Sequence, residues 1–260
     1  MKSITTQKQA QRAAKQLDFC YLCGDPLADG EIDDDHVPPK KVFLSQDRNW
    51  PLTLPTHSDC NENCSISDEQ LKDLIAILHS EANELPLKTS VDVITYKDGK
   101  PNNVGFSGMP MKGITDRILR GCYSALYGEF LPVQTPNYTL MPLVECDRET
   151  GDVRPSNFYP QHQHFCELLK FNRRIENLDQ VIAYNEKFRF EIIWIYEDDQ
   201  VTPVGIFCID LYDWYRLSKW VLPRRQGCVG SFWAEIPKGA SRVQTPYLHY
   251  KYKEPLNPFE

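Results

Sequence analysis

Cys20-Tyr-Leu-Cys23, Asp35-His36-Val-Pro-Pro39 and His57-Ser-Asp-Cys60-Asn61 follow one another in a single short stretch that ends near Ser65. Their order decides how the first third of the chain is read. Two pairs of soft or borderline ligands, each pair separated by two residues, suit a tetrahedral zinc site, because each knuckle aims both side chains at one ion. Cys20, Cys23, His57 and Cys60 are therefore the expected zinc ligands, with Cys64 a rival to His57 for the fourth place. Such a site can contribute on the order of 10 kcal/mol to folding, enough to hold a segment too small for its own core.

A second constellation lies between the knuckles. Glu31-Ile-Asp-Asp-Asp35 reads as a strand ending in an acid directly before His36. That pairing can offer an oxygen to a hard cation and an imidazole to a water molecule. Asn61 directly follows the last zinc ligand, so zinc at Cys60 would carry it toward Asp35 and His36. The coarse elements agree. Residues 31 to 37 form one strand, which Pro38-Pro39 ends by removing N–H donors and restricting the residue before them. Leu52-Thr-Leu54 forms a second strand. A helix then runs from about 61 or 65 to 80, with Leu71, Leu74, Ile75 and Leu78 at the spacing of a buried face.

Cys20-x-x-Cys23, Asp35-His36, the loop residue Asn49 and the closing Cys60-Asn61 together resemble the HNH endonucleases, over roughly residues 17 to 80. That resemblance implies a ββα-metal core and metal-dependent hydrolysis of phosphodiester bonds, in DNA rather than RNA. It makes His36 the general base. It makes Asp35 and Asn61 ligands of a catalytic Mg²⁺ or Mn²⁺, and Asn49 the residue that orients the histidine or its loop. Zinc would be structural, since four protein ligands leave it no open position. His57 departs from many zinc-bearing members, which carry Cys there. By analogy with stand-alone nucleases of this kind, phage defence or a mobile element is the expected setting.

Plainer readings accompany each residue. A noncatalytic zinc module that binds nucleic acid or protein would keep Cys20, Cys23, His57 and Cys60 without needing His36 beside Asp35. A redox pair at Cys20 and Cys23 would call for a βαβ context that this stretch lacks. Asn49, before Trp50-Pro51, also suits a turn, and Ser65-Ile-Ser-Asp68-Glu69 reads as a helix N-terminal cap.

Composition sets outer limits. The chain has 260 residues, and 41% hydrophobic and 12% aromatic content suits a globular protein with one ordinary domain beside a metal-stapled module. No apolar run approaches the roughly 20 residues of a membrane helix. The polar, basic start has no apolar segment of the signal-peptide kind. Nine cysteines, five of them scattered singly at Cys122, Cys146, Cys166, Cys208 and Cys228, favour reduced thiols and the cytoplasm. A net charge of −7 opposes general nucleic-acid affinity, which rests on clustered Lys and Arg. Lys40, Lys41 and Arg48, beside the expected site, are the local exception and the expected substrate-binding residues. Arg173-Arg174 and Arg224-Arg225 are later basic pairs, and Lys2, Lys8, Arg12 and Lys15 make an N-terminal helix positive.

The expected fold class is α+β. A zinc-stapled ββα-metal module with its basic helix occupies residues 1–85. A mixed α+β domain over 86–260 serves substrate selection or assembly, leaving a protein partner or homodimer open. Within it, Ile114 to Leu126 is an amphipathic helix with Arg117 and Arg120 opposite its apolar side. His162 to Lys170 is a further helix, continuing toward Ala183 after a break. Phe188 to Tyr196 and Val204 to Asp210 form an antiparallel hairpin. Their near-continuous apolarity implies burial on both faces, so the aromatic residues there belong to the core before any role in stacking on bases.

Overall fold

Leu52 begins a strand of alternating burial, and that alternation fixes the local architecture near the motifs. The chain is seen in a computed structural model that describes residues 2–78, 91–95, 101–106, 111–132, 137–141, 144–146, 153–155, 178–196, 204–211 and 227–244. It opens with β1 (Ser3–Ile4) and α1 (Gln7–Ala14), whose N-terminal amide at Gln9 is capped by the Thr6 side chain. Strands β2 (Ile32–Val37) and β3 (Leu52–His57) pair antiparallel, with Asp35 opposite Leu54 and His36 opposite Thr53. The double proline follows the last residue of β2 directly, as its missing donors require. Leu52, Leu54, Thr56, Asp35 and Val37 are buried on one side of this hairpin. Successive side chains on a strand leave opposite faces, so His36 points away from that side.

Two helices follow in place of one: α2 (Ser58–Glu62) and α3 (Ser65–Leu78), parted at Asn63 and Cys64. Leu71 is buried as its spacing predicts. Strands β4 (Val91–Thr95) and β5 (Pro101–Phe106) form a small antiparallel pair. Helix α4 (Met111–Tyr127) matches the amphipathic segment expected over 114–126 and packs against β2, α1 and α3. The approach to β2 is close enough to need glycine: a Cβ at Gly121 would meet Val37 Cγ1 at 2.7 Å.

The later part supplies β6 (Asn137–Met141), the pair β7 (Val144–Cys146) and β8 (Val153–Pro155), and then β9 (Asp179–Ala183), β10 (Phe188–Tyr196), β11 (Val204–Leu211), β12 (Gly227–Trp233) and β13 (Arg242–Gln244). A mixed sheet has the order β1-β9-β10-β11-β12-β6, with β13 beside the end of β10. The expected hairpin is there, as β10 against β11. Phe188, Phe190, Ile192, Ile193 and Trp194 are all buried, as strands covered on both faces require. Trp194 meets Tyr127 and Phe232 edge-on, in a core of rings.

Residues 179–183 are a strand and not the continuation of a helix. Their burial alternates residue by residue, and β-branched Val181 and Ile182 suit the pleat. Contacts also cross residue 85. β1 joins the sheet parallel to β9, and α4 touches β9 as well as the hairpin. Asp179 is fully buried and gathers the Lys2 amide, the Tyr127 hydroxyl and both the amide and hydroxyl of Ser241. The helix expected over 162–170 and the basic pairs at 173–174 and 224–225 lie outside the described residues.

Candidate metal centre and adjoining cleft

The first knuckle is a tight turn. Gly24, at φ +90°, donates its amide to the Cys20 carbonyl at 2.8 Å, and the Cys20 amide donates to the Asp25 carbonyl at 2.8 Å. The second straddles a strand-to-helix junction: His57 caps α2 in an extended conformation and Cys60 lies in its first turn. Hairpin register sets His57 opposite Ile32, which brings the knuckles together. The ligand atoms of Cys20, Cys23, His57 and Cys60 all lie within 4.8 Å of one another, so this Cys₃His cluster could hold a zinc ion.

The surroundings fit that ion. His57 Nδ1 lies 3.4 Å from Cys23 Sγ, while Nε2 lies 3.1 Å from the Pro26 carbonyl. A proton on Nε2 donated to that carbonyl leaves Nδ1 free to bind metal, the usual outer-shell device for a ligating histidine. Burial opposes ionisation of Cys20, but the Thr56 hydroxyl and the amides of His57, Cys23 and Leu22 outweigh it and bring the thiol down to about 7. Cys60 moves the other way, to about 12, through burial and then the negative charge of Cys20 and Cys23. A dication at this cluster would favour the thiolate form of all three cysteines, as zinc ligation requires. Cys64 stands outside the cluster, its thiol directed at the Cys60 carbonyl one helical turn back.

Beside the cluster opens a cleft of ≈ 690 Å³ lined by Asp33, Asp34, Asp35, His36, Asn61, Asp68 and Glu69, with Lys40, Lys41 and Arg48 on its rim. Lys40 and Lys41 are exposed, and Arg48 is held by donating from Nε to the Phe43 carbonyl at 2.7 Å. His36 is half-buried. Burial, and then the charge of Lys40, lowers its pKa below 6.5, so the imidazole is neutral at neutral pH.

Asp35 sits on the buried face of the hairpin at 3% exposure, and its carboxylate is fully engaged. The Tyr21 hydroxyl donates to Oδ2, Arg117 Nε donates to the same oxygen at 3.1 Å, and Arg117 Nη2 donates to Oδ1. Arg117 also bonds Asp68 through Nη1, and its Nη2 lies 3.5 Å from Asn61 Oδ1. Oxygens of Asp35, Asp68 and Asn61 thus surround one guanidinium. As donors for a hard cation they fit, but the place is taken by a cation of the chain itself. Burial, and then the charge of Asp35, lifts the Asp68 carboxyl to about 6 against the opposing pull of Arg117. Asn61 turns its amide nitrogen to Asp33 Oδ2 at 2.7 Å.

Asn49 does not line the cleft. Its side-chain oxygen accepts from the amides of Trp50 and Asn185, each at 2.9 Å, so it pins the 38–51 loop to the β9–β10 turn. Tyr184 in that turn stacks on Phe43 at 3.9 Å and donates to the Pro38 carbonyl at 2.7 Å.

Arg117 and Tyr21 were not expected here. Arg117 is 5% exposed, on the packed side of α4. Its position three residues after Ile114 and one before Ile118 is the signal that could have placed it there. No protein-family model, curated protein or solved structure matches this chain.

Proposed function

We propose that the chain is a metal-dependent endonuclease of the HNH kind that hydrolyses phosphodiester bonds in nucleic acid, DNA before RNA. The observation that carries the reading is that His36, Asp35 and Asn61 line one cleft together with Lys40, Lys41 and Arg48. The strand–loop–strand–helix order behind it, stapled by a Cys₃His cluster, supports it.

In this reading Lys40 and Lys41 meet the phosphate backbone, with Arg48 fixed beside them. His36, neutral at working pH, takes the proton from the attacking water. Asp35 and Asn61 would hold a Mg²⁺ or Mn²⁺, which when bound supplies Lewis-acid stabilisation of the phosphoryl oxygens and the leaving 3′ oxygen. The zinc ligands keep α2, and with it Asn61, against β2.

A second reading rests on Asp35 itself. Its carboxylate is satisfied by Tyr21 and Arg117, as a purely structural group would be, which suits a noncatalytic zinc module that binds nucleic acid or protein. Supercoiled plasmid incubated with the protein and Mg²⁺, Mn²⁺ or EDTA decides between them. Nicking that needs metal and disappears in His36→Ala supports the nuclease. Binding of DNA or RNA without cleavage under any divalent metal supports the module.

A further inference from the structure

We infer that Arg117 is a built-in competitor for the divalent cation, a latch that holds Asp35 and Asn61 until it is withdrawn. The inference rests on the endonuclease reading and deepens it. Arg117 reaches the cleft from α4, far outside the stretch that carries the motif, and grips Asp35 as a fork, Nε on one oxygen and Nη2 on the other. The fork takes one lone pair on each oxygen and the Tyr21 hydroxyl takes a further one on Oδ2, which leaves little of the carboxylate for a metal. Mg²⁺ and Mn²⁺ ask for close octahedral contact with oxygen, and a fixed positive charge a few ångströms away opposes them strongly in a buried setting. The guanidinium and the metal therefore exclude one another at Asp35.

The surroundings hold the latch closed. Asp68 on α3 binds Nη1, and the Tyr21 hydroxyl lies 3.4 Å from Nε while donating to Asp35. The backbone of α4 need not move for release, because an arginine side chain has several rotatable bonds. Phosphate oxygens arriving over Lys40 and Lys41 offer the guanidinium a matching acceptor.

The test measures Mn²⁺ affinity by electron paramagnetic resonance on full-length, zinc-loaded protein, with zinc content and circular dichroism checked for each variant. Arg117→Gln should bind Mn²⁺ about tenfold or more tightly than the wild type. The double variant Asp35→Asn with Arg117→Gln should lose that gain. Should Arg117→Gln fail to fold without metal, Arg117→Lys keeps the charge, loses the fork, and should show a smaller gain of the same sign. Equal Mn²⁺ affinity in wild type and the folded Arg117 variant, with cleavage intact, overturns the latch and leaves the nuclease standing. Absence of Mn²⁺ binding in every variant, together with no cleavage by the wild type, removes the nuclease reading and the latch with it.

Discussion

Arg117 on α4 closes a forked ion pair on Asp35 of β2 across 82 residues of sequence, both side chains almost wholly buried. Removing Asp35 from this pair leaves the buried Arg117 with Asp68 as its remaining acidic partner, short of the fork it needs, whereas the pair as a unit is close to neutral for stability. Asp35→Ala should therefore destabilise the fold by about 3–5 kcal/mol, read by urea denaturation. Asp35→Ala combined with Arg117→Met should recover much of that loss.

Zinc content provides a separate check. Protein purified without chelator should carry one zinc per chain. Cys20→Ser or Cys60→Ser should release it and unfold the hairpin and its helices, the scale being on the order of 10 kcal/mol. His57→Ala should lower zinc content. Cys64→Ala should leave it unchanged, because that thiol is directed at the Cys60 carbonyl and lies outside the cluster.

His36→Ala should keep fold and zinc but slow cleavage by about 10²- to 10⁴-fold. Wild-type cleavage at saturating metal should fall as pH drops through a midpoint below 6.5, because burial and then Lys40 lower the imidazole pKa and only the neutral ring accepts a proton. Lys40→Ala removes one of those causes and should move the midpoint upward. A midpoint that stays in place would remove Lys40 from the account.

Asp179→Ala leaves the Lys2 amide, the Tyr127 hydroxyl and the two Ser241 donors without their shared acceptor in a buried place. A loss of roughly 3 kcal/mol is expected, seen as a lowered denaturation midpoint with an unchanged zinc content. An effect below the range of ordinary surface substitutions would show that solvent takes over the role.

The Cys₃His cluster was legible in the sequence because its information is local: two spacings of two residues, and a first strand whose end Pro38-Pro39 announces. The cleft was legible in part. His36, Asn61 and the Lys40–Arg48 loop follow from the motif, but the helical pattern alone puts Arg117 on the outer side of its helix, whereas it is buried. A helical pattern taken alone does not say that a buried carboxylate on another element awaits a charge. Residues 179–183 were read as helix for a related reason. Their strand partners, β1 and β10, include one from the far end of the chain, and such pairing leaves no mark in a local window. Asn49, expected to orient His36 or its loop, is tied to Asn185 and the Trp50 amide, outside the cleft that His36 lines.

The stack of Tyr184 on Phe43 bears on transplantation. Tyr184, Asn185 and Glu186 run consecutively through positive φ, a conformation uncommon for residues with side chains, and the ring and amide so presented clasp the loop that carries the basic rim. A fragment cut after α3 would carry every motif residue and still lack the grip that shapes its own loop. Grafted onto another protein, it would keep the Cys₃His cluster and lose the contacts that set the Lys40–Arg48 loop. The motif is therefore not a portable cassette in this chain, and what acts together is the hairpin, the arginine of α4 and a turn more than 130 residues downstream.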